Sequence, residues 1–286
     1  DLLYGGNEES VRSGLFYYLY PSNATTSELD PTLTGIKYAS GLAQNILAGK
    51  IFSDTTVENE NGYDVIFQNK DFVIEECLSA IISSLKKYNG IILTGSTLRI
   101  NDNSEEVKKH IEFTRECFEH TDYIYAACWG LQVAVAAAGG KCRVSQNGAV
   151  TGITKNVILT DAGINHGLYK SKPKKFNAPG FNFDEVEVPP KNSVLLASTN
   201  INKFAALHFT AGKSEVWGLQ YHPEIPYSYM IRLLKHRKKR LIDNKSFENE
   251  NKLNEHIDLI TKEDLITNDN SRTLELKNWL DYIKKS

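Results

Sequence analysis

The stretch Tyr123-Ile124-Tyr125-Ala126-Ala127-Cys128-Trp129-Gly130-Leu131-Gln132 decides how this chain is read. An apolar run with strand character leads straight into a cysteine flanked by small residues. A small apolar helix, Leu131 to Ala138, follows at once. This is the layout of a nucleophile elbow, a strained strand-to-helix turn that needs small neighbours on either side. Such a turn presents its side chain at the carboxyl end of a parallel sheet, where open α/β folds bind ligands. The helix N-terminus behind it favours thiolate over thiol, and thiolate is the attacking species. A free cysteine is also often a small buried hydrophobe, so the elbow alone leaves both readings open.

The neighbouring sequence repeats the strand–helix alternation. Gly90 to Thr94 is a continuous apolar run closed by Gly95. Ser104-Glu105-Glu106 resembles a helix start with acids in the first turn, and Val107, Ile111, Thr114 and Phe118 share one helical face. The run Asp122 to Ala127 then supplies the next strand. Alternation of this kind predicts an α/β fold with a mostly parallel central sheet and helices on both faces. Further strands are expected at Val157 to Thr160, Ser193 to Ala197, Phe204 to Phe209 and Glu215 to Gln220, some of them antiparallel. Upstream, Asp1 to Tyr4 and Asp64 to Phe67 read as short strands, and Ile36 to Ile46 and Phe72 to Tyr88 as helical.

A second motif sharpens the reading of Cys128. Val216-Trp217-Gly218-Leu219-Gln220-Tyr221-His222-Pro223-Glu224 is a strand that ends in His-Pro-Glu. A histidine at a strand end can act as general base, and a carboxylate two residues later can orient its imidazole. Pro223 stiffens the link between the two.

Together the motifs resemble the class I glutamine amidotransferases, specifically the small stand-alone members similar to the glutaminase part of GMP synthetase. The family elbow G-x-C-x-G-x-Q is matched by Cys128, Gly130 and Gln132, and its His-Pro-Glu by His222, Pro223 and Glu224. The apolar strand ending in Gly95-Ser96 and the segment Asp184-Glu185-Val186 also match, and Arg272 to Leu280 looks like the end of this subgroup. The resemblance implies a flavodoxin-like amidotransferase fold in which Cys128 attacks a glutamine side-chain amide to form a thioester. His222 would protonate departing ammonia and Glu224 would hold His222. Backbone N–H groups of Trp129 and of the Gly95-Ser96 turn would stabilise the oxyanion, and Gln132 would contact substrate.

Three positions depart from the family pattern. Ala126 replaces the first elbow glycine, Val150 takes the place of a glutamate, and Asn182 stands where a histidine precedes the Asp184 segment. The expected pocket is thus lined by Val150 and Asn182, has lost two polar groups, and works poorly on free glutamine.

The whole chain, residues 1–286, is expected to form one such domain, with an insertion at about 20 to 60 and a helical extension at about 226 to 286. In that extension Met230, Leu233, Leu234 and Leu241 make a helical stripe under the basic run Lys235 to Arg240, which reads as a solvated face. After a polar connection, Ser271 is placed to cap a last helix carrying Leu276, Trp279, Leu280 and Ile283 inward.

Composition narrows the alternatives. The chain is 41% hydrophobic and 24% charged with a net charge of −2, an ordinary globular balance that points to neither nucleic acid nor membrane as partner. No apolar run reaches the roughly 20 residues of a spanning helix. The four cysteines, at 77, 117, 128 and 142, have no zinc-type spacing, and reduced thiols in a cytoplasmic compartment are expected. No glycine-rich ATP-binding loop of Walker type is visible, and no cofactor or metal is called for. An ammonia-delivering glutaminase would therefore need a separate synthetase partner. A hydrolase of γ-glutamyl or other small amides, and a binding module that has lost turnover, remain as competing functions.

Overall fold

A computed structural model describes residues 17–21, 57–58, 64–65, 88–96 and 98–285. The expected elements at 1–4, 36–46 and 72–87, and nearly all of the insertion at about 20 to 60, lie outside the described residues.

An eight-stranded sheet organises the molecule. Its strands are β1 (Tyr17–Pro21), β4 (Tyr88–Leu93), β5 (Tyr123–Ala127), β12 (Ser214–Leu219), β11 (Ala206–Ala211), β10 (Val194–Ser198), β7 (Val150–Leu159) and β8 (Lys175–Asn182), in that spatial order. Two small pairings stand apart: β2 (Val57–Glu58) with β3 (Asp64–Val65), and β6 (Lys141–Val144) with β9 (Asp184–Val188). The α/β expectation holds, but the sheet is mixed. Only β4, β5 and β12 pair in parallel, and every other pairing in it is antiparallel. The reason lies in the connections. Parallel neighbours need a crossover such as α1 (Glu105–His120) between β4 and β5, whereas β11 returns to β12 through a tight turn at Gly212.

Strand β5 shows why this sheet is covered twice. Ile124 and Ala126 point into a cluster with Val107, Phe113 and Phe118 of α1 and Leu131 and Val135 of α2 (Trp129–Ala137). Tyr125 and Ala127 point the other way, against Trp217, Tyr221 and Trp279. Period-two alternation with both faces buried gives the continuous apolar run seen in the sequence. Helix α1 starts where expected, with the Ser104 hydroxyl accepting from the Val107 N–H at 3.4 Å. A single helical turn, α3 (Asp161–Ile164), leaves the end of β7, capped by the Thr160 hydroxyl.

Past β12 the chain is almost wholly helical: α4 (Tyr227–His236), α5 (Lys238–Asp243), α6 (Glu250–Ile266), α7 (Asp269–Arg272) and α8 (Leu274–Ile283). The expected polar connection is in fact the 17-residue helix α6, which buries Leu253, Ile257 and Ile260 against Leu234 and Leu241. Its many polar and charged side chains hide a narrow apolar stripe. Ser271 does not cap the last helix. It lies inside α7, whose cap is Asn268. Helix α8 does bury Trp279 and Ile283 as expected.

Candidate active site

The three parallel strands bring the two sequence motifs together. Leu219, the last residue of β12, pairs with Ala127, the last of β5, so the chain leaves both strands at the same edge. Cys128 then adopts φ 53°, ψ −106°, a conformation that an L-residue holds only when its surroundings force it. Its N–H donates to the Leu219 carbonyl at 2.7 Å, and the Gly130 N–H donates to the Thr94 carbonyl at 3.1 Å. Gly130 is required by that approach: a Cβ there would meet the Leu93 carbonyl oxygen at 2.2 Å. Ala126 is fully buried, and the turn forms with it in place.

His222 follows β12 and is buried, at 5% exposure. Its Nδ1 lies 2.7 Å from Oε1 of Glu224. A carboxylate only accepts, so Nδ1 carries the proton and Nε2 is the nitrogen left for Cys128. Burial pushes the His222 pKa down, but the charge of Cys128, the charge of Glu224 and hydrogen bonds to both outweigh it. The net direction is well above the ordinary histidine range. Gly95 closes against the same ring, where a Cβ would meet Cε1 at 2.7 Å.

Strand β8, absent from the sequence reading, curls the far edge of the sheet back onto this site. Its Pro179 carbonyl accepts from the His222 N–H at 2.7 Å, and the Cys128 sulfur lies 3.5 Å from the Phe181 carbonyl oxygen. Pro179 and Gly180 argue against a strand, but β8 is an edge strand, where proline is tolerated.

A cleft of about 60 Å³ opens at Cys128. Ser96, Trp129, Gln132 and Asn182 line it; Gly95 sits behind, against His222. The Gln132 amide donates to the Asp184 carbonyl at 2.9 Å and to Gln220 Oε1 at 3.3 Å, so its NH₂ is already occupied. Val150 does not line the cleft. It is buried in β7 opposite Asn182, and only the asparagine faces the site. The Asn182 NH₂ donates to the Asp184 carbonyl and to Asn202 Oδ1, which leaves its own Oδ1 buried without a partner. A larger recess of about 250 Å³ lies between Arg143, Glu187, Lys203 and Phe204. It holds no nucleophile, and its Arg143 is held by Glu185 at 2.9 Å.

The rim carries residues the sequence reading did not assign to the site. Arg99 forks onto the Asp184 carboxylate, Nε to Oδ2 at 3.2 Å, and lines the cleft with it. Arg237 comes from the junction of α4 and α5, Arg240 and Leu241 from α5 itself, and Asn244 from its C-terminal end. The basic run is therefore not uniformly solvated. Lys238 pairs with Glu250 at 2.8 Å and Lys239 with Asp243 at 3.6 Å, while Arg237 lies over the Phe181 ring at 5.4 Å. Arginine rather than lysine at the two cleft-lining positions was the available signal, since its planar fork suits carboxylate recognition.

The tail also braces the histidine loop from behind. Arg272 Nη1 donates to the Pro223 carbonyl at 2.5 Å, and its other nitrogens hold Asp269. Glu275, fully buried, accepts from the Tyr221 hydroxyl at 2.9 Å and pairs with Lys172 at 2.8 Å. Burial is the largest influence on both charges, moving Lys172 down and Glu275 up.

The curled mixed sheet with helices around it is an amidotransferase-type fold, and its strand ends bring Cys128 on a strained elbow together with His222 and Glu224. The family model Glutamine amidotransferase class-I matches residues 57–235, and the chain belongs to that family. Among its relatives is the Gamma-glutamyl-L-1-hydroxyisopropylamide hydrolase of a Pseudomonas species, 31% identical over 218 residues, covering 70% of this chain and 74% of that one. A glutamine-hydrolyzing GMP synthase component of Methanocaldococcus jannaschii is 27% identical over 149 residues, covering 51% of this chain and 70% of that one. In fold, the chain is similar to a glutamine amidotransferase of Thermotoga maritima, with a TM-score of 0.53 at 16% identity over 71% of this chain and 80% of that one. No described helix is long and apolar enough to cross a membrane. Among the described residues, no cluster of His, Cys, Asp or Glu could hold a metal ion.

Proposed function

We propose that the chain is a cysteine-nucleophile hydrolase of γ-glutamyl amides, glutamine being the smallest of them. The observation that carries this is the chain of contacts from Cys128, which lines the cleft, through His222 to Glu224 behind it. The Cys128 thiolate attacks the amide carbonyl carbon, and the oxyanion forms near the first backbone N–H of α2, contributed by Trp129, and the Gly95-Ser96 turn. As the first residue of α2, Trp129 has no intrahelical acceptor for that N–H. The imidazolium of His222 gives its Nε2 proton to the leaving nitrogen, the C–N bond breaks, and a γ-glutamyl thioester remains. Water then attacks the thioester, His222 takes its proton, and glutamate leaves with the thiolate restored.

The kinship with a γ-glutamyl amide hydrolase supports this over strict glutamine use. Kinship with a GMP synthase component supports a second reading, in which ammonia passes to a separate synthetase. In either reading the helical tail belongs to the catalytic domain, since it supplies part of the cleft. A reducing, cytoplasmic setting suits the nucleophile and the free Cys117 and Cys142.

The test is labelling with a glutamine-derived diazoketone followed by peptide mass analysis. One equivalent on Cys128 is expected, with slow ammonia release from free glutamine. Label on another residue, or none, would count against both readings.

A further inference from the structure

The cleft at Cys128 is lined by three guanidinium groups, of Arg99, Arg237 and Arg240, against the single carboxylate of Asp184. Asp184 is already committed to Arg99. Arg237 is engaged with the Phe181 ring. Of the basic run in the tail, Lys238 and Lys239 turn to carboxylates on the solvent side. Arg240 is exposed, lines the cleft, and has no carboxylate partner among the described residues. Its backbone is firmly placed. The next residue, Leu241, is 1% exposed and its carbonyl accepts from the Phe247 N–H at 3.2 Å.

The cleft is open, and a substrate reaching Cys128 passes these long rim side chains, which line it together with the cysteine. The floor is polar too: the buried Asn182 Oδ1 has no partner and can accept from an ammonium or amide N–H. Arg237, Arg240, Leu241 and Asn244 all lie beyond residue 235, where the match to the shared family pattern ends. The nucleophile lies within the matched region, and this part of the rim lies outside it.

Resting on the hydrolase reading above, we infer that the cleft selects γ-glutamyl amides whose amine half carries a carboxylate, with Arg240 as the specificity-determining residue. Glutamine and γ-glutamyl amides of neutral amines bring only the carboxylate of the glutamyl half. An amide to an acidic amine brings a second carboxylate, which Arg240 at the rim is placed to pair with. A charge-assisted hydrogen bond of this kind corresponds to about a tenfold to hundredfold gain in affinity.

Binding to the Cys128→Ala protein separates recognition from chemistry. Calorimetry with γ-glutamylglycine and γ-glutamylmethylamide is expected to show the acidic ligand binding at least about tenfold tighter. The ratio should shrink as salt is raised and fall to near one in Cys128→Ala/Arg240→Ala. Equal affinities, a preference that survives loss of Arg240, or binding of neither ligand would overturn the inference. Turnover of both amides by the unmodified chain is read separately. Hydrolysis without selectivity removes the specificity claim and leaves the hydrolase; selective binding without hydrolysis does the reverse.

Discussion

Two regions meet at Cys128, and they are built by different rules. The parallel trio β4, β5 and β12 supplies the elbow, the histidine and the Gly95 turn from strand ends that hydrogen-bonding register brings together. The tail, α4 to α8, supplies the arginine rim and the bracing behind His222 through side chains on helices. In the first region the backbone decides position, so glycine and small residues dominate. In the second, burial and charge pairing decide it. A chemistry shared across a family can sit on the first while substrate choice moves with the second.

The largest effect should come from the strand-end region. Cys128→Ala is expected to lower turnover by at least about 10⁴-fold, the scale seen when a nucleophile that works as a unit is removed. The fold should persist, because the backbone geometry at 128 is imposed by the bonds that the N–H groups of residues 128 and 130 donate to the Leu219 and Thr94 carbonyls, and Ala fits the same space. Unchanged circular dichroism with lost hydrolysis is the expected pair of readings. Residual turnover near the native rate would place the chemistry elsewhere and dissolve the contrast between the regions.

Legibility in the sequence follows the same division. The elbow and His-Pro-Glu could be read because a tight strand-to-helix turn restricts residue types locally, as at Gly130. Strands β5, β10 and β12 were visible as apolar runs for the same reason. Strand β8 was hidden by Pro179 and Gly180, which only its edge position makes acceptable. Helix α6 was hidden by its charge, since three buried residues, Leu253, Ile257 and Ile260, suffice to dock it. The placement of Arg240 over the cleft depends on how α4 and α5 pack against α6, a long-range fact that no local pattern contains.

The next effect in size probes the link between histidine and acid. Glu224→Gln is expected to lower kcat by about 10²- to 10⁴-fold, by analogy with loss of the orienting acid in other triads. It should also move the alkaline limb of the kcat/KM profile to lower pH, because one cause of the raised His222 pKa is gone. A histidine whose folded pKa is raised stabilises the fold fully below its unfolded value of about 6.5, and that stability is lost as pH rises through the folded value. The stability gap between native and variant should therefore be widest near pH 6 and narrow at alkaline pH. Denaturant titrations at both pH values check this, and a gap that widens with pH would reverse the assigned direction.

The smallest effect on turnover and the clearest on stability belongs to the tail. Lys172 and Glu275 are 4% and 0% exposed at their side chains, paired at 2.8 Å, with Glu275 also holding the Tyr221 hydroxyl next to His222. Lys172→Met leaves the Glu275 charge buried without its cation, which costs about 3 to 5 kcal/mol. Tyr221 still holds one end of that carboxylate, so the histidine loop keeps its path and turnover should fall only a few-fold. The companion variant Lys172→Met/Glu275→Leu removes both charges, and burying apolar groups in their place should recover most of the stability. It also cuts the bond to Tyr221, so it should slow turnover more than the less stable single variant does. Stability and turnover moving in opposite directions between the two variants would show that the tail acts on the site through Glu275. If they move together, the tail serves the strand-end region by packing alone.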